Sequence, residues 1–451
     1  MNNIIYSECA VEAVTFGPKH HLFGFHDLRI SNHSGDKYLA IEADIINRPP
    51  LPDEIFGVGY VKDGMYVRIG ETVAMNYPQG SRQQWVSDSS LFTVNNRVGD
   101  RWGTDLYDAD AGKLIERFDA PTHMLTKDGR YSFGLDYARL HRLGGYGYTG
   151  ILDQDGDCAI PAKSGISIMD LKTKEIKLLV SVQEVAKCGV SNLSGKTHHY
   201  LTHLCLNPSS TRIAFLHRYF MPDGGLMTRL MTIGTDGANL RCLAQGFLSH
   251  FDWKDDNNIY IYGRAGSSID SIRNNPILQN PMIMYPLRIA KKIAKRIIGK
   301  NKGLVGGMSF IMVHDDDDCV KTPFATDIIP YDGHPMTHPY NRDWCICDTY
   351  PDENGDRDLF LYCFSKNMRM NVGKFRRLFE TPDLSLEKQF LYGMDSSVLD
   401  SVSVDLIAFT RSGLHCDLHP RWSSDGKWAV FDSIHEGSRQ IYRIDVESLI
   451  N

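Results

Sequence analysis

The sequence contains no long apolar segment. No window approaches the roughly 18 consecutive apolar residues that mark a membrane-spanning helix, so none is expected. The opening residues, MNNIIYSECAVEAV, lack a basic segment followed by an apolar core, which argues against a secretory signal. The 10 cysteines are scattered, and Cys345 and Cys347 alternate along a predicted strand, which indicates free thiols in a reducing compartment. These absences predict a soluble cytoplasmic protein.

The charge and composition exclude two further classes. A net charge of -6 gives no reason to expect a nucleic-acid partner. Hydrophobic residues make up 42% and charged residues 23% of the chain, which is ordinary for a globular protein and argues against disorder. A chain of 451 residues can hold a few ordinary domains or one large repeat architecture.

Internal repeats favour the second possibility. One pattern recurs: an apolar strand, a turn of Gly, Asp, Ser or Asn, a second strand, a polar turn, a third strand ending in Asp, and a fourth strand. A small sheet of this kind buries its faces by stacking radially against similar sheets. The repeats predict an all-β protein in which residues 1–451 form one seven-bladed β-propeller; two β-sandwiches are the alternative, but they fit seven similar units poorly. The copies lie at 31–44, 85–115, 125–140 (resuming at Gly165), 206–243, 251–263, 338–366 and 421–449.

Other segments are expected to close or interrupt the ring. Residues 1–25 are predicted to supply a strand to the last blade. A Gly/Tyr-rich loop at 141–164 splits the third blade, and residues 265–310 form a second insertion. Within the second insertion, residues 285–300 are predicted to form a short basic amphipathic helix. Such a helix can lie on an anionic membrane or bind an anionic polymer; alternatively, it packs on the propeller flank with its basic face in solvent.

Histidines recur at one phase of the repeat, just before the innermost strand, where side chains reach one mouth of the central channel. Imidazoles gathered on one surface serve as metal ligands or transfer protons near neutral pH. The alternative is hydrogen bonding between blades, which is the preferred interpretation for a single histidine such as His26 or His123. For four of them we favour a functional role. These four are His203, His250, His334 and His419.

Further polar residues fall near the same mouth. His217 and Arg218 end a strand of the fourth blade, and Arg229 begins the next one. Tyr146 and Tyr148 lie in the Gly/Tyr-rich loop. Because arginine binds carboxylate or sulfate through paired hydrogen bonds, this set predicts an anionic ligand.

Several of these motifs together resemble a known family. The order HLCLNPSSTRIAFLHR, TRL, SHFDW, GH and LHPRWSSDGKWAVFDSIHEGSRQIYRIDV resembles the oligogalacturonate lyases and, more loosely, the propeller ulvan lyases. The similarity covers mainly residues 199–253 and 333–446. It implies a cytoplasmic seven-bladed propeller that cleaves uronic-acid oligosaccharides by β-elimination with a divalent metal.

The resemblance also implies site residues. Arg229 matches the position of the family's proposed base, and His250 matches the histidine of the next Gly/Ser-His-x-x-Trp step. His334 and His419 match metal ligands. Asp417 stands where the family has a further histidine, and Leu414 stands where it has a glutamine that also binds the metal. Because leucine cannot bind a metal, the neighbouring His415 would have to substitute for that glutamine.

The residue chemistry is compatible with this family. β-Elimination needs a neutralised carboxylate, a base for the adjacent proton and an acid for the departing oxygen. The predicted catalytic residues are Arg229, His250, His203, His217, Arg218 and Tyr148. The predicted ligands are His334, His419, Asp417 and His415, which suit Mn²⁺ or Zn²⁺ better than Ca²⁺.

Two other functions compete with the lyase interpretation. One is a non-catalytic propeller that binds an anionic glycan or a protein at its channel, with 285–300 contacting a membrane. The other is a glycosidase, which needs two carboxylates at a set separation. The predicted mouth is richer in histidine and arginine than in glutamate, which argues against a glycosidase. No Gly-x-Ser-x-Gly motif is present, which argues against a serine peptidase.

Overall fold

The computed structural model describes residues 3–189, 197–220, 225–265 and 308–450. The described chain is mostly β-structure. The strands are β1 (Ile4–Tyr6), β2 (Val11–Ala13), β3 (His20–Leu22), β4 (Tyr38–Ala43), β5 (Phe56–Lys62), β6 (Met65–Thr72), β7 (Gln84–Trp85), β8 (Leu91–Val98), β9 (Arg101–Asp108), β10 (Lys113–Phe118), β11 (Met124–Leu125), β12 (Tyr131–Gly134), β13 (Gly165–Asp170), β14 (Ile176–Ser181), β15 (His199–Leu206), β16 (Arg212–Phe220), β17 (Leu226–Gly234), β18 (Arg241–Trp253), β19 (Asn258–Ala265), β20 (Ser309–His314), β21 (Lys321–Phe324), β22 (Met336–Thr337), β23 (Trp344–Asp348), β24 (Asp356–Cys363), β25 (Met368–Arg376), β26 (Arg421–Trp422), β27 (Trp428–Ser433) and β28 (Gln440–Asp445). The helices are α1 (Tyr137–Arg142), α2 (Val182–Lys187), α3 (Glu387–Phe390), α4 (Ser396–Leu399), α5 (Val404–Arg411) and α6 (Glu447–Ile450).

Three sheets of four strands come first: β3 to β6, β7 to β10 and β11 to β14, each in chain order and antiparallel. Turn residues explain several of the short hairpins. Gly129 and Gly426 have φ of 70° and 75°, and each donates its N–H back three residues, to Thr126 and Ser423. Left-handed backbone of this kind favours glycine, so these two Asp-Gly steps set the hairpins.

The fourth sheet has seven strands, β15 to β21. Its long strand β18 pairs with β17 through residues 241–246 and with β19 through residues 246–253. The sheet therefore consists of two four-stranded halves that share β18.

The N-terminal segment completes the last two sheets. Strand β1 lies parallel to β25, at the edge of the sheet β22 to β25. Strand β2 lies antiparallel to β28, at the edge of the sheet β26 to β28. Residues 11–13 thus pair with the sheet formed by 421–449, as the sequence predicted for the segment 1–25, whereas β1 joins the preceding sheet.

Apolar side chains join each sheet to the next. Val430 and Ile441 of the last sheet pack in one cluster with Leu39 and Ile41 of the first. Other clusters join the intermediate neighbours in turn. This succession of sheets packed face to face is a propeller-like arrangement. Burying one such side chain contributes about 1.5–3 kcal/mol.

Two connections cross one end of the ring. The predicted loop 141–164 leaves β12 through α1, and Arg142 Nε donates to Asp153 at 2.7 Å within it. A connection between β25 and β26, which the sequence did not reveal, carries α3, α4 and α5. Arg142 Nη1 also donates to Asp395 at 2.6 Å, and Arg411 Nη2 donates to the Gly145 carbonyl at 2.8 Å, so the two connections pack together.

The predicted basic insertion, 265–310, lies almost entirely outside the described residues, and its helix at 285–300 lies wholly outside them. None of the helices in the described part of the chain has the length and apolar character needed to span a bilayer.

Candidate metal centre

Five imidazoles surround the ring of Phe25 at one end of the central channel. Ring centroids lie 5.1 Å apart for Phe25 and His203 and 5.0 Å apart for Phe25 and His419. His334 lies 4.2 Å from His250 and 4.3 Å from His419. The structure therefore brings together all four histidines for which the sequence favoured a functional role, together with a fifth. We call these five the mouth cluster: His26, His203, His250, His334 and His419.

Two of these histidines have unusual backbone conformations. His203 interrupts β15 with φ of 56°, and His419, just before β26, has φ of 42°. A residue with a side chain pays about 1–3 kcal/mol for such a conformation, which typically persists at functional sites. The strain aims both imidazoles at the channel.

Three buried residues could hold a metal ion. The donor atoms of His334, Asp417 and His419 all lie within 4.8 Å of one another. Nδ1 of His334 is 2.8 Å from Asp348 Oδ1, and Nδ1 of His419 is 3.1 Å from the Gly24 carbonyl. These bonds leave each Nε2 available, and Asp417 Oδ1 has no hydrogen-bond partner. The trio therefore fits a divalent ion, with ligands oriented by their other ring nitrogens.

Asp348 supports both histidines of this trio, although it was not among the residues predicted from the sequence. Besides the bond to His334 Nδ1, its carboxylate accepts the backbone N–H of His334 at 2.8 Å and that of His419 at 3.2 Å. Asp348 ends β23, whose residues are all buried. An acidic residue ending a buried strand is the one sequence signal that could have drawn attention to it.

The electrostatics differ within the mouth cluster. Burial lowers the pKa of His26, His203 and His419 well below the ordinary value, and neighbouring cationic groups lower it further. Burial also acts to lower the pKa of His334, but the charge and hydrogen bond of Asp348 outweigh it and raise that pKa. Neutral imidazole is the form that binds metals and accepts protons.

Asp417 is held as an anion in the same place. Burial acts to raise its pKa, but His415 and His334 outweigh that effect, so the pKa of Asp417 is lowered. His415 itself is not part of the trio: its Nε2 lies 3.6 Å from Asp417 Oδ2. Arg357, which the sequence did not single out, approaches Asp417 Oδ1 to 3.8 Å with its Nε.

His250 is held by a carboxylate of its own. Its Nδ1 lies 3.2 Å from Asp332 Oδ1 and 3.1 Å from Ser249 Oγ. Asp332 directly precedes Gly333 and His334, which keeps His250 beside the trio. The ring of Tyr350, 39% exposed, lies 6.1 Å from that of His250.

Arg229 and His217 lie in a different place from the one predicted. Arg229 Nη1 donates to the Val185 carbonyl at 3.1 Å, Nη2 donates to the Cys188 carbonyl, and Nε lies 3.3 Å from Cys242 Sγ. Nη1 also lies 3.2 Å from His217 Nδ1. This corrects their placement at the mouth, because the carbonyls of Val185 and Cys188 and the thiol of Cys242 use all three guanidinium nitrogens.

His199 completes this second group, with its Nδ1 2.9 Å from His217 Nε2. We call His199, His217 and Arg229 the flank cluster. All three are fully buried. In these contacts the cluster is tied to α2 and β18, with no bond to the trio.

Tyr148 is also misplaced by the sequence prediction. It is fully buried, stacks on Tyr137 with centroids 4.4 Å apart, and its hydroxyl accepts from Asn95 Nδ2 at 3.1 Å. It belongs to the core because its neighbours fill its whole surface. Tyr146, two residues earlier, does reach the mouth, 6.3 Å from His203 between ring centroids.

Arg218 does lie near the mouth. It is opposite Tyr200 across β15 and β16, and its buried Nε has no hydrogen-bond partner. Its positive charge acts on both His203 and Tyr146, lowering the pKa of His203 further and opposing the rise that burial causes in the pKa of Tyr146.

Comparison with known proteins bears on the fold. No family model and no curated protein sequence matches the chain. Among solved structures, the oligogalacturonate lyase of Vibrio parahaemolyticus aligns over 98% of this chain and 95% of its own, with a TM-score of 0.57 at 11% identity. An oligogalacturonate lyase in complex with manganese aligns over 98% and 96%, with a TM-score of 0.56 at 12% identity. The resemblance to oligogalacturonate lyases is thus confirmed at the level of the fold.

Proposed function

We propose that this protein is a metal-assisted lyase that cleaves uronic-acid-containing oligosaccharides or polysaccharides by β-elimination. The observation that carries the proposal is the buried trio His334, Asp417 and His419, with an oriented histidine, His250, directly beside it. The proposed scaffold is a seven-bladed propeller, in which the seven-stranded sheet counts as two blades divided at β18.

The trio offers two imidazole nitrogens and one carboxylate oxygen, a donor set that suits Mn²⁺ or Zn²⁺ better than Ca²⁺. Manganese is the ion named for one of the similar lyase structures. When bound, the ion supplies a Lewis acid that neutralises a substrate carboxylate and makes the proton on the adjacent carbon more acidic.

His250 is the residue best placed to take that proton. Asp332 accepts a hydrogen bond from Nδ1, which leaves Nε2 as the proton acceptor. The ring lies 4.2 Å from that of His334, and the reacting carbon is next to the carboxylate that the trio would hold. A general base must reach its proton directly, so a base beside the metal ligands meets the geometric requirement.

The remaining roles belong to the other side chains of the mouth. Arg218 would pair with substrate carboxylate, because its buried Nε lacks a partner. Tyr146, whose ring lies 6.3 Å from that of His203, is the candidate that protonates the departing oxygen. The C–H electron pair forms the new double bond as the bond to that oxygen breaks.

The test is absorbance of the unsaturated product over a panel of uronic-acid polymers and oligomers, with and without chelator. We expect absorbance to rise for at least one uronic-acid substrate, to stop with chelator, and to return with Mn²⁺ or Zn²⁺. His250→Ala should abolish the signal without changing the melting temperature. If no substrate yields product while an anionic glycan still binds, the protein is a non-catalytic binding propeller.

A further inference from the structure

Three unpartnered polar groups meet on one side of the trio. Arg357, at the start of β24, is 1% exposed, and neither its Nε nor its Nη2 has a hydrogen-bond partner. Asp417 Oδ1 and His415 Nδ1 also lack partners. Arg357 Nε is 3.8 Å from Asp417 Oδ1, and His415 Nε2 is 3.6 Å from Asp417 Oδ2, both beyond hydrogen-bond distance.

A second buried arginine, Arg369, has partners for both of these nitrogens, Nε and Nη2. Arg369, in the same sheet, donates through Nε to Asn371 and through Nη2 to Asp358, both at 2.7 Å, and covers the ring of Phe360. Burying a donor without an acceptor destabilises the fold, and more strongly for a charged group. Arg357 thus carries a cost that Arg369 avoids, and a ligand that accepts its hydrogen bonds would remove that cost.

The chemistry of the pocket defines this ligand. A guanidinium fork matches the two oxygens of a carboxylate or sulfate, and His415 can add a donor from Nδ1. The side chain of His415 is 16% exposed, so the pocket reaches solvent there. Of the trio, Asp417 is the member that Arg357 approaches, whereas His334 is the member whose ring lies beside His250.

We propose that Arg357 and His415 form a second anion subsite, which binds a carboxylate or sulfate on a sugar next to the one that is cleaved. This inference rests on the proposed function, since it assumes that the ligand is an acidic glycan held at the trio. It assigns specificity to Arg357: the subsite selects a ligand with two neighbouring acidic groups over one with a single acidic group.

The experiment measures binding by titration calorimetry with the metal-loaded protein. The probes are digalacturonate, the same disaccharide with one carboxylate methyl-esterified, and a sulfated uronic-acid oligosaccharide. We expect the unchanged protein to bind the free acid about 10- to 100-fold more tightly than the ester. The stronger of the free-acid and sulfated probes then identifies the acidic group.

Variants assign this preference to Arg357. Arg357→Gln should bind acid and ester equally, and Arg357→Lys should keep part of the preference because it retains charge without the fork. Arg369→Gln, which removes a paired arginine of the same sheet, should keep the full preference. Melting temperatures show whether each variant is folded, and the acid-to-ester ratio is a readout that a purely structural role would not move.

The outcomes separate this inference from the proposed function. If the acid is preferred through Arg357 but no product absorbance is found, the subsite stands and the lyase activity fails. If product forms but Arg357→Gln leaves the acid-to-ester ratio unchanged, the subsite fails and Arg357 serves only to balance Asp417. Equal binding of acid and ester by the unchanged protein, or no binding of any probe, also overturns the subsite.

Discussion

The two histidine clusters differ in how their ring nitrogens are used, although each takes one histidine from the same strand, β15. His199 and His203 are four residues apart on β15, yet one lies in the flank cluster and the other in the mouth cluster. In the flank cluster, Nδ1 of His199 meets His217, and its Nε2 lies 3.3 Å from Thr197 Oγ1. In the mouth cluster, His26 Nδ1 has no partner at all.

The bonding of the ring nitrogens distinguishes structural histidines from functional ones better than residue type does. A buried polar network whose members are all bonded stabilises the fold, whereas a buried group left unbonded must have another reason to persist. The mouth cluster has oriented but incompletely bonded imidazoles, which leaves ring nitrogens available to a ligand. The flank cluster already has its bonds, so it can act only on stability.

The largest expected effect is on metal binding. Replacing His334 or His419 with alanine removes one of three ligands, so the affinity for Mn²⁺ or Zn²⁺ should fall by more than the roughly 100-fold that loss of a supporting residue costs. Titration calorimetry with each metal alone measures this, and product absorbance should disappear in parallel.

His217→Ala is the matched control for that comparison. It also removes a buried imidazole, but from the flank cluster, so it should lower the melting temperature and leave metal affinity unchanged. Equal loss of metal affinity in His217→Ala and His334→Ala would show that the two clusters do not differ in metal binding.

A smaller effect is expected at Asp348, which bonds both histidines without belonging to the trio. Asp348→Asn keeps the shape but weakens the acceptor, and such supporting residues typically contribute about 10- to 100-fold in metal affinity. The same titration measures this loss. Asp358→Asn, at a carboxylate paired with Arg369 in the same sheet, is the control and should bind metal normally. An unchanged affinity in Asp348→Asn would show that the histidines do not need this support.

Local sequence signals predicted the regular parts of the fold well. The last sheet was predicted from residues 421–449 because its alternation of apolar and polar residues and its Asp425-Gly426 turn each lie within a few residues. The connection carrying α3 to α5 was missed because its helices are only 4, 4 and 8 residues long. Elements that short have little periodicity of their own and depend on contacts such as Arg142 with Asp395.

The site was predicted only in part, for a related reason. The phase of the repeat located His203, His250, His334 and His419, since that phase recurs in every blade. The phase of the repeat could not show that Arg229 and Tyr148 lie away from the mouth. The side of a sheet that a polar residue faces depends on partners far along the chain. Asp348 was missed because its role needs His334 and His419, the latter 71 residues away, to be in place.

The smallest expected effect concerns acid and the flank cluster. Burial, with added repulsion from Arg139 and Arg229, lowers the pKa of His199 to about 3, so it is neutral in the fold. An unfolded histidine titrates near 6.5, so between these values unfolding takes up a proton and stability falls as the pH falls; above the unfolded value this contribution is fully present. At pH 5.5 one such histidine should lower the free energy of unfolding by about 1.4 kcal/mol relative to neutral pH.

Urea unfolding at pH 7.5 and 5.5 measures this decrease in the free energy of unfolding. In His199→Gln the decrease should be smaller by that amount, whatever the variant's stability at neutral pH. An equal loss on acidification in His199→Gln and the unchanged protein would mean that the flank cluster does not need a neutral imidazole at this position.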